Sequence, residues 1–194
     1  MDNHNNHFKK IDAHSHIGKF GSPFNIDFDL QRLTEQMEAY NIEKTILCPA
    51  GCHLNEELKT AYQAAPDKII PLCWVNANEG QEAYDMLEHY LRDENFAGVK
   101  MQPFTADSPM VDPIMELAEA YKKPVFIHCG HPPFSLPWQI GLLAERHPHV
   151  PTVMIHMGHG HGVYIDGSLN MAYKYDNLFG SIRNADGLSD QKRL

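Results

Sequence analysis

Pro124-Val125-Phe126-Ile127-His128-Cys129-Gly130-His131 is informative about topology, because its ending returns in Val153-Met154-Ile155-His156-Met157-Gly158-His159. Each is a short run of β-branched and large apolar residues that ends on histidine and then meets glycine. A histidine closing such a run stands at the C-terminal edge of a strand, which is where parallel α/β folds place their chemistry. The echo, one βα unit later, gives two successive strand ends the same job.

Working outward, similar apolar runs occur at Ile11 to Ile17, Thr45 to Cys48, Ile69 to Val75, Ala97 to Met101 and, more weakly, Leu178 to Phe179, which makes seven strand candidates in all. Amphipathic segments lie between them. Leu30, Leu33, Met37 and Tyr40 recur at helical spacing, as do Leu58, Ala61, Tyr62 and Ala65. So do Ala83, Met86, Leu87, Tyr90 and Leu91, then Ile114, Leu117 and Ala118, then Ile140, Leu143 and Ala144. Asn55 before Glu56-Glu57 resembles a helix N-cap, and Pro66, Pro124 and Pro148 follow helical patterns where a helix must stop. Strands about 25 to 35 residues apart make each unit one right-handed crossover, so the spacing predicts a parallel α/β barrel. The expected organisation is a polar N-terminal tail over 1–10, a barrel domain over 11–182 and a polar C-terminal tail over 183–194.

The 194 residues suffice for one domain with a real core. Hydrophobic residues make up 43% and charged residues 21%, which suits a globular chain. With 25 acidic against 16 basic residues and a net charge of -9, no basic run can track a phosphate backbone, so nucleic acid is not an expected partner. No apolar h-region opens the chain and no stretch reaches the roughly 18 apolar residues of a membrane span, so the expectation is a cytoplasmic protein without membrane contact. Cys48, Cys52, Cys73 and Cys129 lie within or just after apolar runs, as reduced thiols do. The Cys48 and Cys52 pair, with no second cysteine cluster, reads as a strand-end and a loop cysteine rather than a zinc knuckle.

The histidines carry the chemistry. In an extended strand residues i and i+2 share a face, so His14 and His16 point together while Ala13 and Ser15 point away. With His128 they offer three nitrogen ligands suited to Zn²⁺, with Mn, Fe, Co or Ni as substitutes. Three ligands and a water make a catalytic site, and the ion lowers the water's pKa to about 7. Any one of these histidines alone is more simply a satisfied polar group; their agreement at three strand ends points to a metal. Asp12 can orient His14 or add a ligand. His156 can be a further ligand or a general acid or base, whereas His131, His159 and His161 in glycine-rich loops read first as solvated. Lys100, ending the run Gly98-Val99-Lys100, can be carboxylated to bridge two ions, can polarise a substrate oxygen, or can extend to solvent. Trp74, Phe104, Phe134 and Trp138 are candidates for a pocket wall as much as for core.

These motifs, Ile11-Asp12-Ala13-His14-Ser15-His16-Ile17-Gly18, Gly98-Val99-Lys100, Pro124 to His128 and Ile155-His156-Met157-Gly158, resemble the amidohydrolase superfamily, in its amidohydrolase-related branch of metal-dependent hydrolases and non-oxidative decarboxylases. The resemblance implies a TIM-type (β/α)8 barrel with His14, His16 and His128 as ligands and His156 near the metal or its water. It also implies an aspartate ending an eighth strand, which the chain does not supply: Ile182 stands where it is expected, and neither Asp176 nor Asp190 ends an apolar run. The expectation is therefore an incomplete barrel of about seven βα units, truncated before the eighth strand, that self-associates to cover its open edges. The expected function is a metal-dependent hydrolase acting on a small carbonyl-containing substrate through metal-bound hydroxide, weakened by loss of that aspartate. A decarboxylase of the same branch and a catalytically silent metal-binding protein are the alternatives. A phosphoesterase barrel is disfavoured because its fourth strand would present glutamate in place of Lys100.

Overall fold

The computed structural model describes residues 8–22, 25–102, 106–130 and 135–181. In chain order the elements are β1 (Lys10–Phe20), β2 (Ile26–Phe28), α1 (Leu30–Ala39), β3 (Ile42–Pro49), α2 (Asn55–Ala64), β4 (Ile69–Val75), α3 (Gln81–Arg92), β5 (Gly98–Met101), α4 (Asp112–Ala120), β6 (Val125–His128), α5 (Pro137–Arg146), β7 (Thr152–Ile155), α6 (Gly162–Lys174) and β8 (Leu178–Ser181). One sheet runs β2-β1-β3-β4-β5-β6-β7-β8, parallel throughout except for the antiparallel β1–β2 hairpin. All seven expected strands are present. The expected tails lie almost wholly outside the described residues, as do Phe104, Phe134, His131, Ile182 and Asp190.

Local chemistry explains most boundaries. The Asp29 side chain caps α1 by accepting the Arg32 N–H at 2.9 Å. Asn41 and Lys122, at φ 56° and 54°, turn the chain out of α1 and α4 in the left-handed conformation common just past helix ends. Asn55 differs from the expectation: it is the first residue of α2, and the N-cap position belongs to Leu54, which makes no side-chain cap bond. Its buried amide instead donates to the carbonyls of Cys52 and Trp74 and accepts the Trp74 N–H.

Two elements escaped the periodicity. β2 is only three residues long, with Ile26 exposed and Phe28 alone packed against the core, too little for a pattern to reveal. In α6 the one fully buried residue is Ser168, while Val163, Leu169 and Tyr173 are exposed. Its apolar residues form no single core-facing stripe.

The main core lies between sheet and helices, where Leu33 and Met37 of α1, Leu58 of α2, Leu87 of α3, Met115 of α4 and Leu143 of α5 pack onto β-strand residues such as Leu47, Val99 and Ile127. A smaller cluster, Cys48, Leu72, Phe126 and Ile155 with Ile46 and Val153, fills the inside of the curl. It forms an apolar floor. Among the described residues β1 and β8 are not paired with each other, so the sheet is a curled, incomplete barrel with its strand ends gathered at one mouth. No helix among the described residues is long and apolar enough to cross a membrane.

Candidate metal centre

β1 does not run straight into the mouth. Asp12 pairs with Thr45 and Ser15 with Leu47, so β1 holds one residue more than β3 over this step. An extra residue of this kind kinks a strand and re-aims its side chains. The Asp12 carboxylate accepts the backbone N–H of His14 at 3.2 Å, and the Ser15 hydroxyl meets that of Thr45 at 2.5 Å. Asp12 thereby fixes the backbone that carries His14. The outcome is that His14 Nε2 and His16 Nε2 stand 3.1 Å apart.

The other nitrogen of each ring is also engaged. His16 Nδ1 lies 2.9 Å from the Pro49 carbonyl, an acceptor that calls for the proton on Nδ1 and leaves the Nε2 lone pair facing the mouth. His14 Nδ1 lies 3.9 Å from the buried Cys48 thiol. Desolvation, then the neighbouring His16, Lys100, His156 and His128, push the pKa of His14 down to about 2. Desolvation likewise brings His16 down to about 4, against the Pro49 hydrogen bond, which raises it. Both imidazoles are neutral at pH 7, the form that ligates metals. Two donors about 2.1 Å from a tetrahedral ion stand about 3.4 Å apart, so the pair suits a divalent ion in donor type, protonation and spacing.

Across the mouth the two echoing loops meet. His156 does not end β7 as expected; it opens a left-handed turn in which His156, Met157, Gly158, His159 and Gly160 have φ of 70°, 44°, 87°, 54° and 82°. Three non-glycine residues in this region mark strain that surrounding contacts must hold, and such strain gathers at functional sites. The holding contact is visible at the glycines. A Cβ on Gly130 would lie 2.5 Å from the Gly158 backbone, and one on Gly158 would lie 2.5 Å from the Tyr164 backbone.

The turn puts the His156 ring 5.6 Å from His14, 5.0 Å from His128 and 5.0 Å from His159. His128 and His159 are 5.6 Å apart, and His14 and His16 are 4.7 Å apart. The structure thus gathers His14, His16, His128 and His156 into one cluster, with His156 in the middle. It adds His159, which by sequence reads first as a solvated loop residue. The signal for His159 was its place in the repeat. His161 is exposed and packs against Tyr164.

Lys100 is fully buried on the inner face of β5, with its ammonium 4.9 Å from the centre of the Trp74 ring and donating to the Met101 carbonyl at 3.2 Å. Among the described residues no carboxylate lies within ion-pair distance of it. Burial brings its pKa down to about 8. Trp74 also faces His16, at 5.8 Å, and forms one wall of the cluster. Trp138 is on α5, 43% exposed and packed against Tyr164. Asp176 is exposed and precedes β8, at the end of the sheet opposite the mouth.

The solved structures most useful for comparison share this architecture. An amidohydrolase II matches with a TM-score of 0.72 and 16% identity, over 94% of this chain and 81% of its own. The 5-carboxyvanillate decarboxylase of Novosphingobium aromaticivorans, solved with manganese and 4-hydroxy-3-methoxy-5-nitrobenzoic acid, matches with a TM-score of 0.67 and 15% identity over 87% of this chain and 70% of its own. The 2,6-dihydroxybenzoate decarboxylase of Rhizobium gives 0.62 and 18%, over 78% and 67%. No curated protein matches in sequence. These likenesses concern fold. The sequence itself matches the family model described as Amidohydrolase over residues 11–190, nearly the whole length, and the chain belongs to that family.

Proposed function

We propose that the chain is a metal-dependent hydrolase of small carbonyl-containing substrates, with His14, His16 and His128 holding the ion and His156 and Lys100 acting on the substrate. The observation that carries this reading is the convergence of the histidines at the barrel mouth, with the two Nε2 atoms of β1 3.1 Å apart. All-imidazole donors make zinc the first choice, while manganese, iron, cobalt and nickel fit the same set and manganese is the ion in a structure of similar fold. A divalent ion bound there supplies Lewis acidity to a carbonyl and lowers the pKa of a water.

The chain's own groups supply the rest. His156 touches both His14 and His128, so its imidazole can take a proton from water and return it to a leaving group. The Lys100 ammonium holds a substrate oxygen, and the apolar floor of Leu72, Phe126 and Ile155 keeps bulk water from below. A buried cation with no carboxylate partner among the described residues favours substrates that carry a carboxylate. That same feature supports a second reading, decarboxylation of an aromatic acid. Among the described residues β2 covers only Gly18–Phe20 of β1 and nothing pairs with the outer side of β8, and this open edge, with the exposed Ile11 and Phe179, supports self-association, while four free cysteines suit a reducing compartment such as the cytoplasm.

The test is turnover by the metal-loaded chain across esters, lactones, amides and aromatic carboxylic acids, assayed for hydrolysis and for carbon dioxide release. Hydrolysis that falls roughly 10²- to 10⁴-fold in His156→Ala supports the assignment. Carbon dioxide release without hydrolysis selects the second reading. A rate indifferent to His156→Ala and Lys100→Met removes both residues from the chemistry.

A further inference from the structure

A second cluster of donors lies outside the histidine site. Cys52 and His53 are on the β3–α2 connection, and Glu79 ends a short turn, Ala77–Glu79, on the β4–α3 connection. One donor atom from each, the Cys52 thiol, a His53 ring nitrogen and a Glu79 carboxylate oxygen, lies within 4.8 Å of the other two. His53 Nε2 and Glu79 Oε1 are 3.3 Å apart, close to the roughly 3.4 Å that separates two light donors on a tetrahedral ion.

The surroundings fix the Glu79 carboxylate and the backbone at Cys52. Asn76 Nδ2 donates to Glu79 Oε1 at 3.0 Å, while Asn76 Oδ1 accepts the Asn78 N–H and so caps the turn that carries the glutamate. On the other connection the buried Asn55 holds the Cys52 carbonyl at 3.0 Å and ties it to both backbone groups of Trp74 at the end of β4. The two loops are therefore registered to one another through Asn55. An exposed His–Glu ion pair alone contributes little and needs no such framing. It also gives no role to the thiol beside it, whereas thiolate, imidazole and carboxylate from two tied loops form a mixed donor set with a selectivity of its own.

We propose that Cys52, His53 and Glu79 form a second metal site that takes zinc or a similar borderline divalent ion and clips the β3–α2 and β4–α3 connections together. Sulfur and nitrogen donors select against magnesium and calcium, which take oxygen ligands. The His53 side chain is 72% exposed, so a water or an incoming ligand can complete the coordination. The proposal is independent of the hydrolase reading, since none of these three residues belongs to the histidine cluster.

The experiment uses the full chain, stripped of metal by a chelator. Cys52 is the only partly exposed thiol, because Cys48, Cys73 and Cys129 are buried. Alkylation read by mass spectrometry should therefore mark Cys52 first. Zinc should slow this labelling, magnesium should not, and His53→Ala and Glu79→Gln should each raise the zinc needed by roughly tenfold or more, while His14→Ala leaves it unchanged. Cobalt should add a thiolate charge-transfer absorption that disappears in Cys52→Ser and survives in Cys48→Ser. Labelling indifferent to zinc, protection lost with His14→Ala, or a cobalt–thiolate absorption that survives Cys52→Ser would each overturn the site.

Discussion

His14 stands where desolvation and four nitrogen-bearing neighbours, His16, Lys100, His156 and His128, all work against its protonation. This has a consequence for stability. Its ordinary pKa is 6.5 and its folded value about 2, while His16 falls to about 4. Between those limits the unfolded chain binds protons that the folded chain refuses, so stability is full above the ordinary value and is lost as pH falls. The metal-free chain should lose thermal stability from about pH 6.5 down to about pH 4, and His14→Ala should flatten that loss. Circular-dichroism melts across this range check it; an acid limb unchanged in His14→Ala would show that the imidazole is not the group responsible. Lys100 follows the same logic, since burial disfavours its protonated form as it does that of His14. Its burial beside Trp74, with a pKa down to about 8, is an unfavourable setting for a cation, one that a substrate anion would relieve on the proposed reading.

At the scale of elements, the two βα loops that follow β6 and β7 are welded backbone to backbone. Gly158 combines a φ of 87° with a Cβ position 2.5 Å from Tyr164, whereas Gly160, at φ 82°, has open space where its Cβ would be. Gly160→Ala should therefore cost only the left-handed backbone penalty of about 1 kcal/mol, and Gly158→Ala should add crowding of about 1–3 kcal/mol more. Denaturant unfolding of both variants separates the two effects, and equal losses would mean that close loop packing contributes nothing. This welded region is also where the sequence was least legible. The parallel strands could be read, most clearly β3 to β7, which carry short buried apolar runs, whereas β1 showed itself by its alternating histidines and β8 only by Leu178 and Phe179; five of the helices could be read because each keeps a core-facing stripe. α6 could not, since Ser168 is its fully buried residue and its apolar residues are split between the core side, with Met171 and Ala172, and the exposed Val163, Ile165, Leu169 and Tyr173. His14 and His16 were legible by alternation, yet the β1 irregularity and the Asp12 and Ser15 contacts set their spacing. His159 entered the cluster only because a left-handed turn, which no propensity encodes for His-Met-Gly-His, folds the loop back over His128. Asn55 shows the same limit, with a cap residue by sequence becoming a tie between two loops in three dimensions.

For the whole molecule, the curled sheet ends in β2 on one side and β8 on the other, and exposed Ile11, Phe179, Val163 and Tyr173 add apolar surface around it. Surfaces of this kind favour association. Sedimentation of the full chain should show a dimer or larger species, and a stable monomer across micromolar concentrations would remove self-association from the account. The fold brings imidazoles from β1, β6 and the β7 turn to one mouth, where on the proposed reading three of them would hold a divalent ion. Elemental analysis tests that reading most directly, on the chain carrying Cys52→Ser so that only this site is counted, with and without His14→Ala, His16→Ala and His128→Ala together. About one equivalent of divalent ion per chain is expected, zinc first, reduced to background by the triple substitution. Equal metal content in the two folded proteins would contradict it.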